Sequence, residues 1–189
     1  MEYPTKNKTM YELLVKQKNI FTDITLMLFS IILLAVMANI RIPLWPVPIT
    51  MQTFGVFLIA FFFGSRKGAL TIALYLLAGL AGFGVFSYYK SGLSVIAGPT
   101  GGYLFGFIIA VFSVGLLIEK GMGRTKSSII FCMAFGSIII YTAGIIGLFN
   151  YFGNISMLKA LEMGVFPFLV GDMVKIFAAT LLFPVLWKK

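Results

Sequence analysis

Two ionisable side chains stand inside an otherwise apolar run near the C-terminus, in Gly171-Asp172-Met173-Val174-Lys175. The run covers residues 163–187, so Asp172 and Lys175 sit near its middle. At the centre of a membrane helix each costs about 2.5–3.5 kcal/mol on insertion scales. A spacing of three puts both on one helical face, close enough to interact. They could do no more than neutralise each other. An apolar pair would serve stability better, however, and ionisable groups inside a membrane mark ligand or ion sites. The pair therefore reads as a ligand or ion site.

A second group follows the first apolar run, in Pro46-Val47-Pro48-Ile49-Thr50-Met51-Gln52. Proline holds this backbone extended, and unpaired carbonyls are tolerable only at an interface or beside a cavity. Thr50 and Gln52 offer a hydroxyl and an amide there. The competing reading is a helix cap at Thr50 with Gln52 reaching for water. A third group lies in the Gly-rich stretch 82–102, where Phe86, Tyr88 and Tyr89 can pack on an apolar ligand and Lys90 supplies a cation. About twenty irregular residues are too many for a tight turn, and such loops serve as lids or binding loops. An interfacial aromatic belt would use the same residues. Gly79, Gly82 and Gly84 do not form a dinucleotide fingerprint, because their order is wrong and no βαβ unit surrounds them.

The elements that must hold these groups are membrane helices. Of 189 residues, 60% are apolar and only 11% charged, against roughly 45–50% and 25% in a soluble domain. Six apolar runs can be drawn, over residues 20–40, 49–64, 69–81, 102–118, 127–149 and 163–187. The expected fold is an all-α integral membrane protein of six transmembrane helices, with a long irregular loop between helices 3 and 4. Residues 1–19 form a basic cytoplasmic tail, and residues 20–189 the membrane domain. Lys6, Lys8, Lys16, Lys18, Arg66, Lys67, Lys120, Arg124, Lys126, Lys188 and Lys189 fall on one face under this alternation. Only Arg41, Lys90 and Lys159 fall on the other. The excess of basic residues places both termini in the cytoplasm of a multi-pass cell-membrane protein. The first run is too long for a cleavable signal peptide and is not followed by an A-x-A site. Met10, Leu13, Leu14 and Gln17 fall near helical spacing, yet a solvated basic tail is the simpler expectation for residues 1–19. Gly102, Gly106 and Ala110 are spaced for close helix packing. Ala35 and Ala38 form another smooth face, for a neighbouring helix or a partner protein.

Missing residue types exclude further classes. There is no His, and Cys132 is the single cysteine. An internal disulfide, a Cys/His metal site and a Ser-His-Asp nucleophile therefore cannot be built. No phosphate loop of the G-x-x-x-x-G-K-[ST] form occurs, so ATP is not hydrolysed by that route. The net charge of +9 belongs to cytoplasmic loops rather than to a nucleic-acid surface. With one deep carboxylate and no activated nucleophile, the chain is not expected to be an enzyme, and no cofactor is expected.

Three motifs in order carry a family resemblance: Arg41-Ile42-Pro43-x-x-Pro46-Val47-Pro48-Ile49-Thr50-x-Gln52-Thr53, Gly98-Pro99-Thr100-Gly101-Gly102-Tyr103-Leu104-x-Gly106-Phe107, and Gly171-Asp172-x-x-Lys175. Together they resemble the BioY family, the biotin-specific substrate-capture (S) components of energy-coupling-factor transporters. The resemblance implies a six-helix S-component bundle that binds biotin with high affinity. It also implies uptake driven by a separate module of one membrane scaffold protein and two ATPases. Biotin offers two ureido N–H donors, a ureido carbonyl, a carboxylate and an apolar bicycle. Asp172 suits the ureido N–H groups, with a charge-assisted bond of about 1.5–3 kcal/mol. Lys175 suits the ureido carbonyl or the carboxylate, and Lys90 could hold the carboxylate at the mouth. Thr50, Gln52, Tyr88 and Tyr103 are further polar candidates, and Phe86, Gly98 and Thr100 complete the expected lining. S components dock through small residues of the first helix, often as A-x-x-x-A. Here Ser30, Ala35 and Ala38 are the candidates, although they do not make a clean match. The competing function is a stand-alone secondary transporter or an ion or proton pathway through Asp172 and Lys175. The chain shows no inverted repeat and no further deep acid to extend a relay.

Overall fold

The computed structural model describes residues 8–187. Its long elements are helices, and five stretches are long and apolar enough to cross a membrane: Ile20–Asn39, Gln52–Leu80, Gly101–Glu119, Lys126–Phe152 and Met157–Trp187. With no water in the hydrocarbon core, only backbone that bonds within itself can span it.

Helix α1 covers Met10–Leu14 and α2 Ile20–Asn39. The Thr22 N–H donates to Asn19 Oδ1 at 2.8 Å, which fixes the start of α2. The stretch after α2 cannot be helical, because Pro43, Pro46 and Pro48 remove donors. Its ends pair instead as a short antiparallel hairpin, β1 (Arg41–Ile42) with β2 (Ile49–Thr50), so the backbone that proline frees is partly satisfied. This pairing is additional to the expected extended link.

Helix α3, Gln52–Leu80, contains a break at Gly64, where φ is 77° and ψ is −157°. Gln52 Nε2 donates to the Tyr75 hydroxyl at 2.9 Å. Along a straight helix those residues would be about 35 Å apart, so the chain folds back on itself at Gly64. The Ser65 N–H and Oγ hold the turn by donating to Glu119 Oε1 at 2.7 and 2.8 Å. The expected runs 49–64 and 69–81 are the two arms of this broken helix.

Residues 81–100 contain a 3₁₀ turn (Ser87–Tyr89) and the single-turn α4 (Leu93–Ile96). Helix α5, Gly101–Glu119, packs between α3 and α6, Lys126–Phe152. A Cβ on Gly102 would lie 2.8 Å from the Gly147 Cα, so the crossing of α5 and α6 admits only glycine there. The polar stretch 150–162 between the fifth and sixth apolar runs is largely helical. Helix α6 runs on to Phe152, and Ser156 caps α7, Met157–Gly164, by accepting from the Lys159 N–H at 3.2 Å. Val165 leaves helical geometry, and α8 covers Phe166–Trp187.

Two expectations are corrected. Thr9, Met10 and Tyr11 are buried, so this part of the N-terminal tail is not solvated. The fold-back of α3 leaves Phe62 and Phe63 to be covered, and Tyr11 packs on both rings. Ala38 is 0% exposed and belongs to the inward stripe Met27-Ile31-Leu34-Ala38 of α2, which faces the core. It is therefore not available to a partner. Ala35 and Ser30 are half-buried at the edge of that stripe.

Candidate functional site

A cavity of about 790 Å³ opens between the β1–β2 hairpin, the 81–100 connection and helices α3, α5, α6 and α8. Small-molecule sites typically enclose roughly 300–1,000 Å³. Asp172, Lys175, Gln52, Thr50, Lys90, Tyr88, Tyr103, Phe86, Gly98 and Thr100 all line it.

At its deep pole, α8 presents Asp172 and Lys175 from one face, three residues apart, each 7% exposed. Lys175 Nζ donates to Asp172 Oδ1 at 2.8 Å and to Thr53 Oγ1 of α3 at 2.7 Å. The Tyr141 hydroxyl of α6 donates to Asp172 Oδ2 at 2.5 Å. An ammonium has three N–H donors, so two are used and one remains. The carboxylate is thus held from two directions, and three helices meet at one charged cluster. No other Asp or Glu among the described residues lines the cavity.

The 81–100 connection forms a more exposed part of the lining. Tyr88 and Tyr89 have φ of 62° and 53°, a left-handed backbone that non-glycine residues rarely adopt. Asn39 at the end of α2 holds it: its Oδ1 accepts from the Tyr89 N–H at 3.0 Å, and its Nδ2 donates to the Phe86 carbonyl at 3.3 Å. The Arg41 guanidinium lies 3.8 Å above the Tyr88 ring, and Lys90 Nζ lies 5.6 Å from it. Lys90 is exposed and pairs with no carboxylate among the described residues.

Part of the wall is aromatic. Phe168 stacks on Tyr141 with centroids 6.3 Å apart, and Tyr103 meets Phe168 edge-on at 6.1 Å. The Tyr103 hydroxyl donates to the Gly164 carbonyl at 2.7 Å, so its proton is already used and it offers the cavity its ring. Thr50 is part of the turn as well as the lining, because its Oγ1 accepts from the Gln52 N–H at 3.2 Å. A Cβ on Gly98 would come 2.9 Å from the Ser94 carbonyl, so its place in the lining is one of close backbone approach. The Thr100 hydroxyl donates to the Val95 carbonyl at 3.4 Å.

Sequence reasoning did not put Thr53, Tyr141 or Phe168 among the site residues. Thr53 ends a quoted motif, so its signal was present. Tyr141 is a lone hydroxyl-bearing ring deep in an apolar run, and a polar tip there needs a partner. Phe168 carries no such mark.

Comparison with known proteins adds the following. The family model described as "BioY family" matches residues 7–189. A relative in Thermotoga maritima, described as biotin transporter BioY, is 44% identical over 153 residues, 79% of this chain and 86% of its own. One in Pyrococcus horikoshii, described as a probable biotin transporter BioY, is 35% identical over 160 residues, 85% of this chain and 93% of its own. A crystal structure described as the S-component for biotin from an ECF-type ABC transporter superposes with a TM-score of 0.78. It has 24% identity, covers 89% of this chain and 92% of its own, and is evidence of the fold alone.

Proposed function

The chain belongs to the BioY family, and from that premise we propose that it is the membrane-embedded, biotin-binding S component of an energy-coupling-factor importer. It is a transporter subunit and not an enzyme. The observation that carries the reading is the cavity, where one ion pair held by Thr53 and Tyr141 faces aromatic walls and a separate cation, Lys90.

The bound vitamin lies with its ureido ring at the deep pole and its carboxylate toward Lys90. Lys175 gives its remaining N–H to the ureido carbonyl, and Asp172 accepts from a ureido N–H while holding Lys175 in place. Phe86, Tyr88, Tyr103 and Phe168 cover the bicycle and chain, where buried apolar area contributes about 25 cal/mol per Å². An ion pathway has less support, because among the described residues no second acid lines the cavity to take a proton from Asp172.

Six crossings follow from counting the two arms of α3 separately. With the basic residues gathered on one face, both termini lie in the cytoplasm. Transport requires a partner module, a membrane scaffold with two ATPases, since the chain has no nucleotide loop of its own. That module meets α2 beside Ala35 and Ser30. The test is a titration of biotin into the detergent-solubilised protein without ATP. Saturable one-to-one binding supports the reading, and absence of both heat and retained labelled biotin overturns it.

A further inference from the structure

We propose that Tyr75, which is outside the cavity, fixes the polarity of Gln52 so that the cavity is presented with an acceptor and selects a ligand edge bearing an N–H donor. The inference rests on the biotin reading above and assigns one contact within it.

Val85 O lies 2.9 Å from the Tyr75 hydroxyl oxygen. A carbonyl can only accept, so the phenolic proton must lie between the two oxygens. Among the described residues no other donor reaches Val85 O. With its single proton committed, the Tyr75 oxygen can only accept from its other neighbour. That neighbour is the Gln52 side chain at 2.9 Å, which must therefore turn its NH₂ to Tyr75. The two ends of an amide are ordinarily hard to assign, but here the chain of partners leaves one orientation. Tyr75 is 0% exposed and packed edge-on against Phe86 at 5.5 Å, so the relay is held rigidly.

The consequence falls on the other end of the amide. Gln52 Oε1 accepts from no group among the described residues, and it is not among their buried atoms left without a partner. Gln52 is only 6% exposed and lines the cavity, so the free carbonyl is presented there. Thr53, which holds Lys175, and Lys175 itself line the same cavity, so the acceptor and the charged pair are offered to one ligand. A cyclic urea fits that pairing: its carbonyl takes the free N–H of Lys175, and a flanking N–H goes to Gln52. Tyr75 is thus a positioning residue that acts through Gln52. A ligand presenting only acceptors on this edge would meet oxygen against oxygen and be rejected.

The experiment is a cycle of biotin dissociation constants for wild type, Tyr75→Phe, Gln52→Leu and the double variant, each checked for folding by thermal unfolding in detergent. Failure of the wild type to bind biotin would remove the biotin reading itself. Given wild-type binding, Gln52→Leu should weaken it by about 3- to 10-fold, one neutral hydrogen bond. Tyr75→Phe frees the amide to turn and should weaken binding by a similar or smaller factor. In the Gln52→Leu background Tyr75→Phe should change nothing, whereas a merely structural Tyr75 would cost the same factor in both backgrounds. Competition by biotin methylated on a ureido nitrogen reads the polarity directly. Its disadvantage against biotin should narrow in Gln52→Leu for one of the two methyl isomers. Wild-type affinity in Gln52→Leu, equal cost of Tyr75→Phe in both backgrounds, or unchanged discrimination for both isomers overturns the proposal. If Tyr75→Phe does not fold, the Gln52→Leu and methyl-biotin measurements decide it.

Discussion

Lys175 reaches from α8 to α3 and donates to Thr53 Oγ1 at 2.7 Å, as short a contact as the 2.8 Å it makes with Asp172 on its own helix. A pair that only neutralised itself would need no second helix. The cross-helix bond orients the ammonium and leaves one N–H for the cavity. Tyr141 does the corresponding work for Asp172 from α6.

Asp172→Asn keeps the shape of the side chain but removes its charge. Lys175 then lacks its counter-charge, and the amide brings a donor where only acceptors stood. Loss of one charged hydrogen bond, about 1.5–3 kcal/mol, should weaken biotin roughly 10- to 150-fold. Thr53→Val removes the acceptor for Lys175 and the longer 3.5 Å donation to Asp172 Oδ1 but leaves the ion pair in place, and should cost a smaller factor of about 2 to 12. Equilibrium binding of labelled biotin to the purified variants measures both. Wild-type affinity in Asp172→Asn would remove this carboxylate from the site.

Gly64→Ala tests the fold-back of α3. A side chain at φ 77° and ψ −157° is strained, and a Cβ there would collide with Glu119 Oε1 and lie 2.8 Å from Thr9 Cγ2. The expected loss is about 1–3 kcal/mol of stability, read as a lower unfolding temperature in detergent. Glu119→Ala in the same chain should lower it further, because the backbone strain remains and Ser65 loses its acceptor. An unchanged unfolding temperature would mean that the turn is not rigid.

The buried tail gives a pH-dependent prediction. The Tyr11 hydroxyl donates to Asp23 Oδ1 at 2.5 Å, and Lys67 Nζ lies 2.7 Å from Asp23 Oδ2. The hydrogen bond to Asp23 is the chief cause that raises the Tyr11 hydroxyl above its ordinary value of 10.0. A folded value above the unfolded one means that the stabilisation is complete below about pH 10 and is lost as pH rises through the folded value. Tyr11→Phe keeps the stack on Phe63 and should cost about 0.5–1.5 kcal/mol at pH 7. The gap between wild type and variant should close above pH 10. A gap that is constant with pH, or absent at pH 7, would show that this bond does not hold the tail.

Much of the site was legible because chemistry is scarce in this chain. In a sequence with 11% charged residues, Asp172, Lys175 and Lys90 stand out, and proline and glycine mark where backbone leaves the helix. What was not legible depends on packing. Thr53 becomes a partner only once α3 lies against α8, and Tyr141 resembles any other ring until Asp172 is set opposite it. Ala38 was misplaced because small-residue spacing marks a smooth face without telling inward from outward. The burial of Thr9, Met10 and Tyr11 follows from a surface that exists only after α3 folds back at Gly64. That break shows in sequence as Gly64-Ser65-Arg66-Lys67, a border between runs and not a turn within one helix.

Asp172→Leu with Lys175→Met separates ligand binding from internal neutralisation. Replacing a buried ion pair by apolar side chains of similar size is often neutral or stabilising, which offsets the partners that Tyr141 and Thr53 lose, so the double variant should insert, fold and unfold near the wild-type temperature. Lys175→Met alone should be worse for stability, because it leaves Asp172 buried with no cation, and removing one partner of a buried pair costs about 3–5 kcal/mol. If the pair served only itself, the double variant would bind biotin as the wild type does. If Asp172 and Lys175 meet the ureido group, it should fold well and retain no biotin. Thermal unfolding and labelled-biotin retention on the same preparation read the two quantities independently. Biotin held by a well-folded double variant would move the recognition of the vitamin elsewhere in the cavity, to Gln52 and Lys90.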